Sequence, residues 1–475
     1  MADTTLPGPG KTAGSPTIDD SSRAKKLYLA AWRWHFYSGL YVVPFLLMLA
    51  VTGLIMVYFN TFETRFGERL HITPSGEMTL PSAHVEAAQA VVPDGRVSQY
   101  MPPPAPDRTA LVQVQSDAGT VIVAIDPYSN AVLSTVNKDS TWYYFASDIH
   151  GELLIGDIGD RLIEIAAGLA IVMVVTGLYL WWPRGTGIAG VLVPRLGLKG
   201  RAFWKDLHAT IGFYISIVLI FFLLSGLAWA GIWGGKFVQA WSSFPAEKWD
   251  DVPLSDTTHA AMNHGAIKEV PWGLEQTKMP LSGSDAGVQG ISGGTAVNLN
   301  AITQLGYAIG FGPQFRINLP DGDAGVFTLS ADSMDGDTEQ PTGDRTVHVD
   351  QYSGKILAEV TFDDYSLMAK SMAVGIALHQ GDMGLWNSIL NGLFCVTVIF
   401  LCVSGIVMWW ARRPRGASHL VAPPLPSDLP LWKGALFLML FLSLAFPLVG
   451  LTLLTVLAFD LLVLQHIKPL KRAFQ

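Results

Sequence analysis

Cysteine and charge are scarce in this chain of 475 residues. Its two cysteines, Cys395 and Cys402, stand seven positions apart in one apolar run. On a helix that spacing excludes a disulfide between them, so they read as small packing residues. There is no Cys-x-x-Cys-His, which rules out covalent attachment of a c-type haem. No Gly-x-Gly-x-x-Gly follows a strand pattern and no Walker loop is present, so no nicotinamide, flavin or ATP domain is legible. Only 15% of residues are charged and the formal net charge is −8, which argues against a nucleic-acid partner. No small-residue cleavage site follows the first apolar run, where Tyr58-Phe59-Asn60 is bulky. That run reads as an uncleaved anchor.

Half of the residues are hydrophobic, fifteen are tryptophan, and mean hydropathy is positive. Apolar stretches at roughly 36–59, 161–182, 209–233 and 388–410 each approach the ~20 residues a bilayer crossing needs. Lys and Arg near the span ends set orientation. Five precede the first span, five lie in 183–207, and Arg412, Arg413, Arg415 and Lys433 follow the fourth. Residues 231–385 carry eight Lys or Arg against nineteen Asp or Glu. The short basic segments are therefore expected inside the cell and the long acidic ones outside. The apolar stretch Leu431–Leu464 is interrupted at Phe446-Pro447. It is expected to form a short helical hairpin, with a single kinked fifth span as the alternative; Lys468, Lys471 and Arg472 favour a cytoplasmic end.

The chain repeats itself. His35, Gly39, Tyr41, Thr52 and Gly53 recur as His208, Gly212, Tyr214, Ser225 and Gly226 at one offset of 173 residues. A second pair of segments runs His150-Gly151, Thr176-Gly177, Trp181-Trp182 and His379-Gln380, Ser404-Gly405, Trp409-Trp410. Self-similarity on this scale indicates duplication, and it selects four of eleven histidines. Ionisable residues within or at the edge of a membrane are costly and tend to mark function.

The outer segments repeat as well. Leu111–Gln115, Val121–Ile125 and Ala131–Val136 read as a three-stranded antiparallel meander, preceded by a helix from Ser82 through Ala90. The turn Asp126-Pro-Tyr128-Ser129-Asn130 recurs as Asp350-Gln-Tyr352-Ser353-Gly354. Residues 240–295, rich in Gly, Ser and charge, read as an insertion in the second copy. The expected fold is thus an integral membrane α-helical bundle of four core spans plus the C-terminal hairpin or span, with two outer α+β domains. The expected segments are a disordered tail 1–26, a span 27–59, an outer domain 60–148 and a span with its histidine segment 149–184. A loop 185–207, a span 208–233, a second outer domain 234–370, a span with its histidine segment 371–411, a loop 412–430 and the C-terminal element 431–475 complete the chain.

Strands joined by this Asp-x-Tyr-Ser-[Gly/Asn] turn resemble PepSY domains, and the order of histidine-led spans resembles the PepSY-associated transmembrane family. The resemblance covers about residues 27–413. It implies a bacterial inner-membrane protein with periplasmic outer domains, a cytoplasmic N-terminus and two b-type haems. It also implies that the protein reduces ferric siderophores, with electrons from quinol or a separate cytoplasmic reductase.

Under the topology above, His35 and His208 lie at the inner face, and His150 and His379 just beyond the outer face. Neutral imidazole is a common axial ligand of haem iron. Two from different helices would fill both axial positions, once per face. Gly39 and Gly212, four residues after their histidines, would let a flat ring lie against the backbone. Each feature also has a plainer reading. A histidine at a span end is usually an interfacial anchor, small-residue pairs usually pack helices, and the Trp pairs are membrane-interface belts. Other metals or structural roles for the four histidines stay open. Glu164, one turn into the second span with Arg161 three residues earlier, is either a helix-start carboxylate or a proton relay or substrate contact. His259 and His264, with Met262 and Asn263, are a weaker metal candidate. Two other readings remain for the whole chain: a non-enzymatic sensor or protease-regulating module, and a transporter of iron or a small solute.

Overall fold

The computed structural model describes residues 18–467 except 64, 66–69, 184–189, 242–248, 250, 264–268, 415, 417–418, 425–432, 460–461 and 464–465. Among the described residues, four helices are long and apolar enough to cross a membrane: α1 (Ile18–Phe62), α4 (Asp157–Trp181), α5 (Gly200–Leu227) and α8 (Leu385–Arg412). The tail expected to be disordered through residue 26 is already helical from Ile18. Asp19 and Asp20 favour a helix N-terminus, and Ala24-Lys25-Lys26-Leu27 are good helix formers. Residues 1–17, His264, Arg415 and the basic C-terminal tail lie outside the described residues.

The chain divides into two compact units. The first, residues 1–43, 168–216 and 404–475, is helical. It includes α9 (Lys433–Ala445) and α10 (Pro447–Phe459), separated by Phe446 alone. Pro447 cannot continue the preceding helix, and Gly450 comes so close to the Ser443 carbonyl that a Cβ there would touch it. The C-terminal stretch is therefore two helices broken at Phe446-Pro447. At 13 residues each, they reach ~20 Å, less than a hydrocarbon core of ~30 Å.

The second unit, residues 44–167 and 217–403, holds the sheet. Here the structure differs from the expectation of two outer domains. Helix α2 (Pro81–Val91) and strands β1 (Arg96–Met101), β2 (Ala110–Ser116), β3 (Gly119–Ile125) and β4 (Val132–Asn137) form one half. Helix α6 (Leu299–Ala308) and strands β7 (Arg316–Asn318), β8 (Val326–Ala331), β9 (Arg345–Asp350) and β10 (Ile356–Thr361) form the other. They join in one antiparallel sheet, ordered β10-β9-β8-β7-β1-β2-β3-β4. The junction pairs Gln99 with Asn318 and Tyr100 with Ile317. Each half alone would expose an unpaired edge, which invites pairing; here the two edges satisfy each other. One core spans both halves, from Ala88, Tyr100 and Val112 to Ile302, Phe315 and Leu329.

The repeated turn has a physical reason in both copies. Asp126 accepts from Tyr128 N at 2.9 Å, and Asp350 from Tyr352 N at 2.9 Å. The fifth position takes a left-handed backbone, Asn130 at φ 59° and Gly354 at φ 68°, which explains the restriction to Asn or Gly. Residues 240–295 are more than an insertion. They carry a two-stranded sheet, β5 (Leu254–Thr258) with β6 (Lys278–Pro280), and bury Trp249, Trp272 and Leu274 in a second core.

Below the sheet-forming segments, two shorter helices precede the long ones. Helix α3 (Trp142–Glu152) leads into α4, and α7 (Leu367–Gln380) into α8. Thr141 and Ser366 cap their N-termini, and Leu153 and Gly381 end them in the left-handed region.

Candidate functional site

Each of the four repeated histidines is half-buried and has Nδ1 turned to a hydroxyl on another helix. His35 on α1 meets Thr176 Oγ1 of α4 at 3.2 Å and the Met173 carbonyl at 3.1 Å. His208 on α5 meets Ser404 Oγ of α8 at 2.7 Å. These lie within the first unit. In the second, His150 on α3 meets Thr52 Oγ1 of α1 at 2.8 Å, and His379 on α7 meets Ser225 Oγ of α5 at 2.9 Å. The Thr-Gly and Ser-Gly pairs, whose plain sequence reading is helix packing, thus supply the hydroxyls that meet the histidines. The signal was present in the repeat, since hydroxyl and histidine recur together. Which histidine meets which hydroxyl depends on tertiary contact.

His150 and His379 come together, with ring centres 6.4 Å apart and planes at 89°. Two imidazoles bound on opposite sides of one metal at ~2.0–2.1 Å would have ring centres about 6.4 Å apart. The separation is compatible with both imidazoles holding one metal ion. Since Nδ1 is engaged in each ring, Nε2 is the nitrogen that would meet a metal. Around His379, Phe222 lies at 4.8 Å and stacks on Phe394 at 4.0 Å, giving the site an apolar wall. Asn391 of α8 donates to the carbonyls of Leu378 at 2.8 Å and His379 at 2.9 Å, fixing the end of α7 on which His379 sits.

The other candidates have identifiable partners. A Cβ on Gly39 would lie 3.8 Å from Met173 Cε, so its small face meets a methionine of α4. The Gly212 carbonyl accepts from Ser216 Oγ at 2.5 Å. Glu164 is buried and accepts from the backbone N–H groups of Ile232 and Trp233, both at 3.2 Å, tying down the chain that leaves α5. Arg161 forms its ion pair with Asp160, not with Glu164 as the helical spacing suggested.

His259 is not placed with a described His264. Its Nε2 lies 2.9 Å from Nε2 of His348, and both rings are fully buried beside Trp249. The Thr277 carbonyl at 2.7 Å can only accept, so Nδ1 of His259 carries a proton and its Nε2 accepts from His348. Thr328 Oγ1 completes the chain at His348 Nδ1, 2.9 Å away. Burial pushes His259 down to about 4, and His348 well below its usual value.

Sequence reading missed a buried ionic cluster. Asp332, Asp335 and Asp337 converge within 4.8 Å. Arg316 reaches Asp335 at 3.0 Å and Asp337 at 2.9 Å; Arg65 reaches Asp382 at 2.8 Å. Burial pushes Asp335 and Asp344 up to about 7. The only cue in the sequence is the density of Asp in 332–344, which is indistinguishable from a solvated loop.

No curated protein matches the chain. The model of the PepSY-associated TM region matches residues 32–412, most of the chain and all four repeated histidines. With its four apolar helices of spanning length and its antiparallel sheet, the chain belongs to this family of membrane proteins.

Proposed function

We propose that this chain is a transmembrane electron-transfer protein of the bacterial inner membrane, with its sheet in the periplasm and its N-terminus in the cytoplasm. His35 and His208 would hold one b-type haem near the inner face, and His150 and His379 a second near the outer face. When bound, haem supplies a one-electron couple. The observation that carries the reading is the outer pair: two imidazoles, each fixed through Nδ1, with ring centres 6.4 Å apart.

The protein's part is to hold and shield. His150 and His379, and His35 and His208, would hold the haem iron through neutral imidazole. Phe222 and Phe394 give the His379 side of the outer pair an apolar wall. Neutral hydroxyls, not carboxylates, face the four Nδ1 atoms, so the ligands keep the basicity of neutral imidazole. The electron donor would be quinol or a separate cytoplasmic reductase. The acceptor would be a ferric siderophore, whose hard anionic oxygens grip Fe(III) more firmly than Fe(II), so that reduction releases the metal. This substrate follows from the family resemblance.

The test is direct. Purified in detergent from haem-replete cells, the protein should be red, with two haems per chain and a low-spin b-type difference spectrum. His150→Ala or His379→Ala should remove about one of the two. A colourless wild type would overturn the reading in favour of a membrane anchor or transporter.

A further inference from the structure

The hydroxyl partners of the four histidines repeat more strictly than packing alone requires. Thr52 Oγ1 donates to its own helix at Met48 O, 2.9 Å away. Thr176 Oγ1 donates to Val172 O at 2.8 Å, and Ser225 Oγ to Phe221 O at 2.8 Å. A hydroxyl has one proton. With that proton committed to the carbonyl one turn back, only a lone pair faces the histidine. Nδ1 must then be the donor. At His35 the Met173 carbonyl imposes the same tautomer independently, because a carbonyl can only accept. The lone pair of each such ring is thereby assigned to Nε2.

The glycine after each hydroxyl lies against the same imidazole. A Cβ on Gly177 would come 3.2 Å from Cε1 of His35, and one on Gly226 would come 3.3 Å from Cε1 of His379. The corresponding approaches are 3.8 Å from Gly53 to His150 and 3.9 Å from Gly405 to His208. Each proposed pair thus contains one tightly seated ring and one with ordinary clearance.

We infer that the four pairs Thr52-Gly53, Thr176-Gly177, Ser225-Gly226 and Ser404-Gly405 are positioning elements for the histidines. At His150, His35 and His379 the hydroxyl selects the tautomer that offers Nε2, and at all four histidines the glycine lets the ring edge lie against the helix. His35 and His379 are the rigidly placed members, while His208 and His150 have room to tilt. This rests on the haem reading above, because the group that Nε2 would meet is the haem iron.

The experiment compares full-length variants with wild type by haem content, retention during dilution, and optical and electron-spin spectra. Thr52→Val and Ser225→Ala remove the hydroxyl acceptor with little change of shape, whereas Thr176→Val leaves the Met173 carbonyl to hold His35 and should do less. Thr52→Val and Ser225→Ala should each weaken retention of the haem they serve by ~10-fold or more and move it towards a high-spin signal. Thr52→Ser and Ser225→Thr should keep the low-spin spectrum, which a purely space-filling role would not predict. Gly177→Ala and Gly226→Ala should perturb more than Gly53→Ala and Gly405→Ala. If wild type carries two low-spin haems while Thr52→Val and Ser225→Ala leave retention and spectra unchanged, the positioning inference is overturned and the haem reading stands. Equal effects of the four glycine substitutions would overturn the tight and loose assignment. Loss of both haems from one single-site variant would signal collapse of the fold and overturn the site-by-site role. A wild type without haem removes the reading on which the inference depends.

Discussion

The buried His259–His348 pair shows what a single proton can do to this fold. Both imidazoles are neutral in a chain of bonds that accommodates one proton between them. Their native affinities for protons lie below the unfolded value near 6.5. Below that pH the unfolded chain binds more protons than the native one, so stability is lost as pH falls from about 6.5 towards 4. For His259, burial alone sets a loss on the order of 3 kcal/mol by pH 4. Asp335 and Asp344 act with the opposite sign, since their raised affinity favours the native state below the usual carboxylate range and is lost as pH rises through about 7. Thermal scans at pH 7.5 and 4.5 should therefore show that His259→Gln lowers Tm at the higher pH yet flattens its acid-side decline. An unchanged slope would mean that the pair does not govern acid lability.

Among the elements, the legible ones were those with strong local periodicity. The four long apolar helices, β2 to β4 and the repeated Asp-x-Tyr-Ser turn are all visible in the amino-acid order. What escaped notice lacked a local pattern. Strand β8 is buried at every position, so apolar and polar residues do not alternate along it. Strand β7 has three residues, and β1 buries Ser98 and Gln99 as well as its apolar residues. Helices α3 and α7 stop at left-handed residues, one of them Leu153, which no helix-stop rule anticipates. The four histidines were singled out by repetition, but their hydroxyl partners could be assigned only through contacts between helices. The bent C-terminal element illustrates the same dependence on tertiary fit. Gly168 of α4 lies so close to Val449 of α10 that a side chain there would overlap it. Gly168→Leu should cost ~1–3 kcal/mol through overpacking. It should also expose the α9–α10 bend to limited proteolysis, whereas an unchanged digestion pattern would show that this contact does not hold the element.

At the level of the whole molecule, the duplication and the shared sheet make the two halves interdependent. The β1–β7 junction and the common core include residues from both, so neither half buries its own edge and core alone. Cutting the chain in the segment that links α4 to α5, and expressing the two parts together, should give fragments that co-purify through a tag on one of them. Expressed singly, each should aggregate or be degraded, because a long unpaired edge is an aggregation site. Recovery of a stable, monodisperse single half would contradict this account.

The hydroxyl contacts follow the duplication in a way that reaches beyond the present chain. Thr52 and Thr176 serve histidines of the first copy, and Ser225 and Ser404 serve those of the second. Every imidazole is thus seated by its own copy, while each proposed pair draws one ring from either copy. A progenitor half as long would have carried complete seats but only half of each ligand set. On the haem reading, such a half would complete a ligand pair only by meeting a second copy of itself about a two-fold axis.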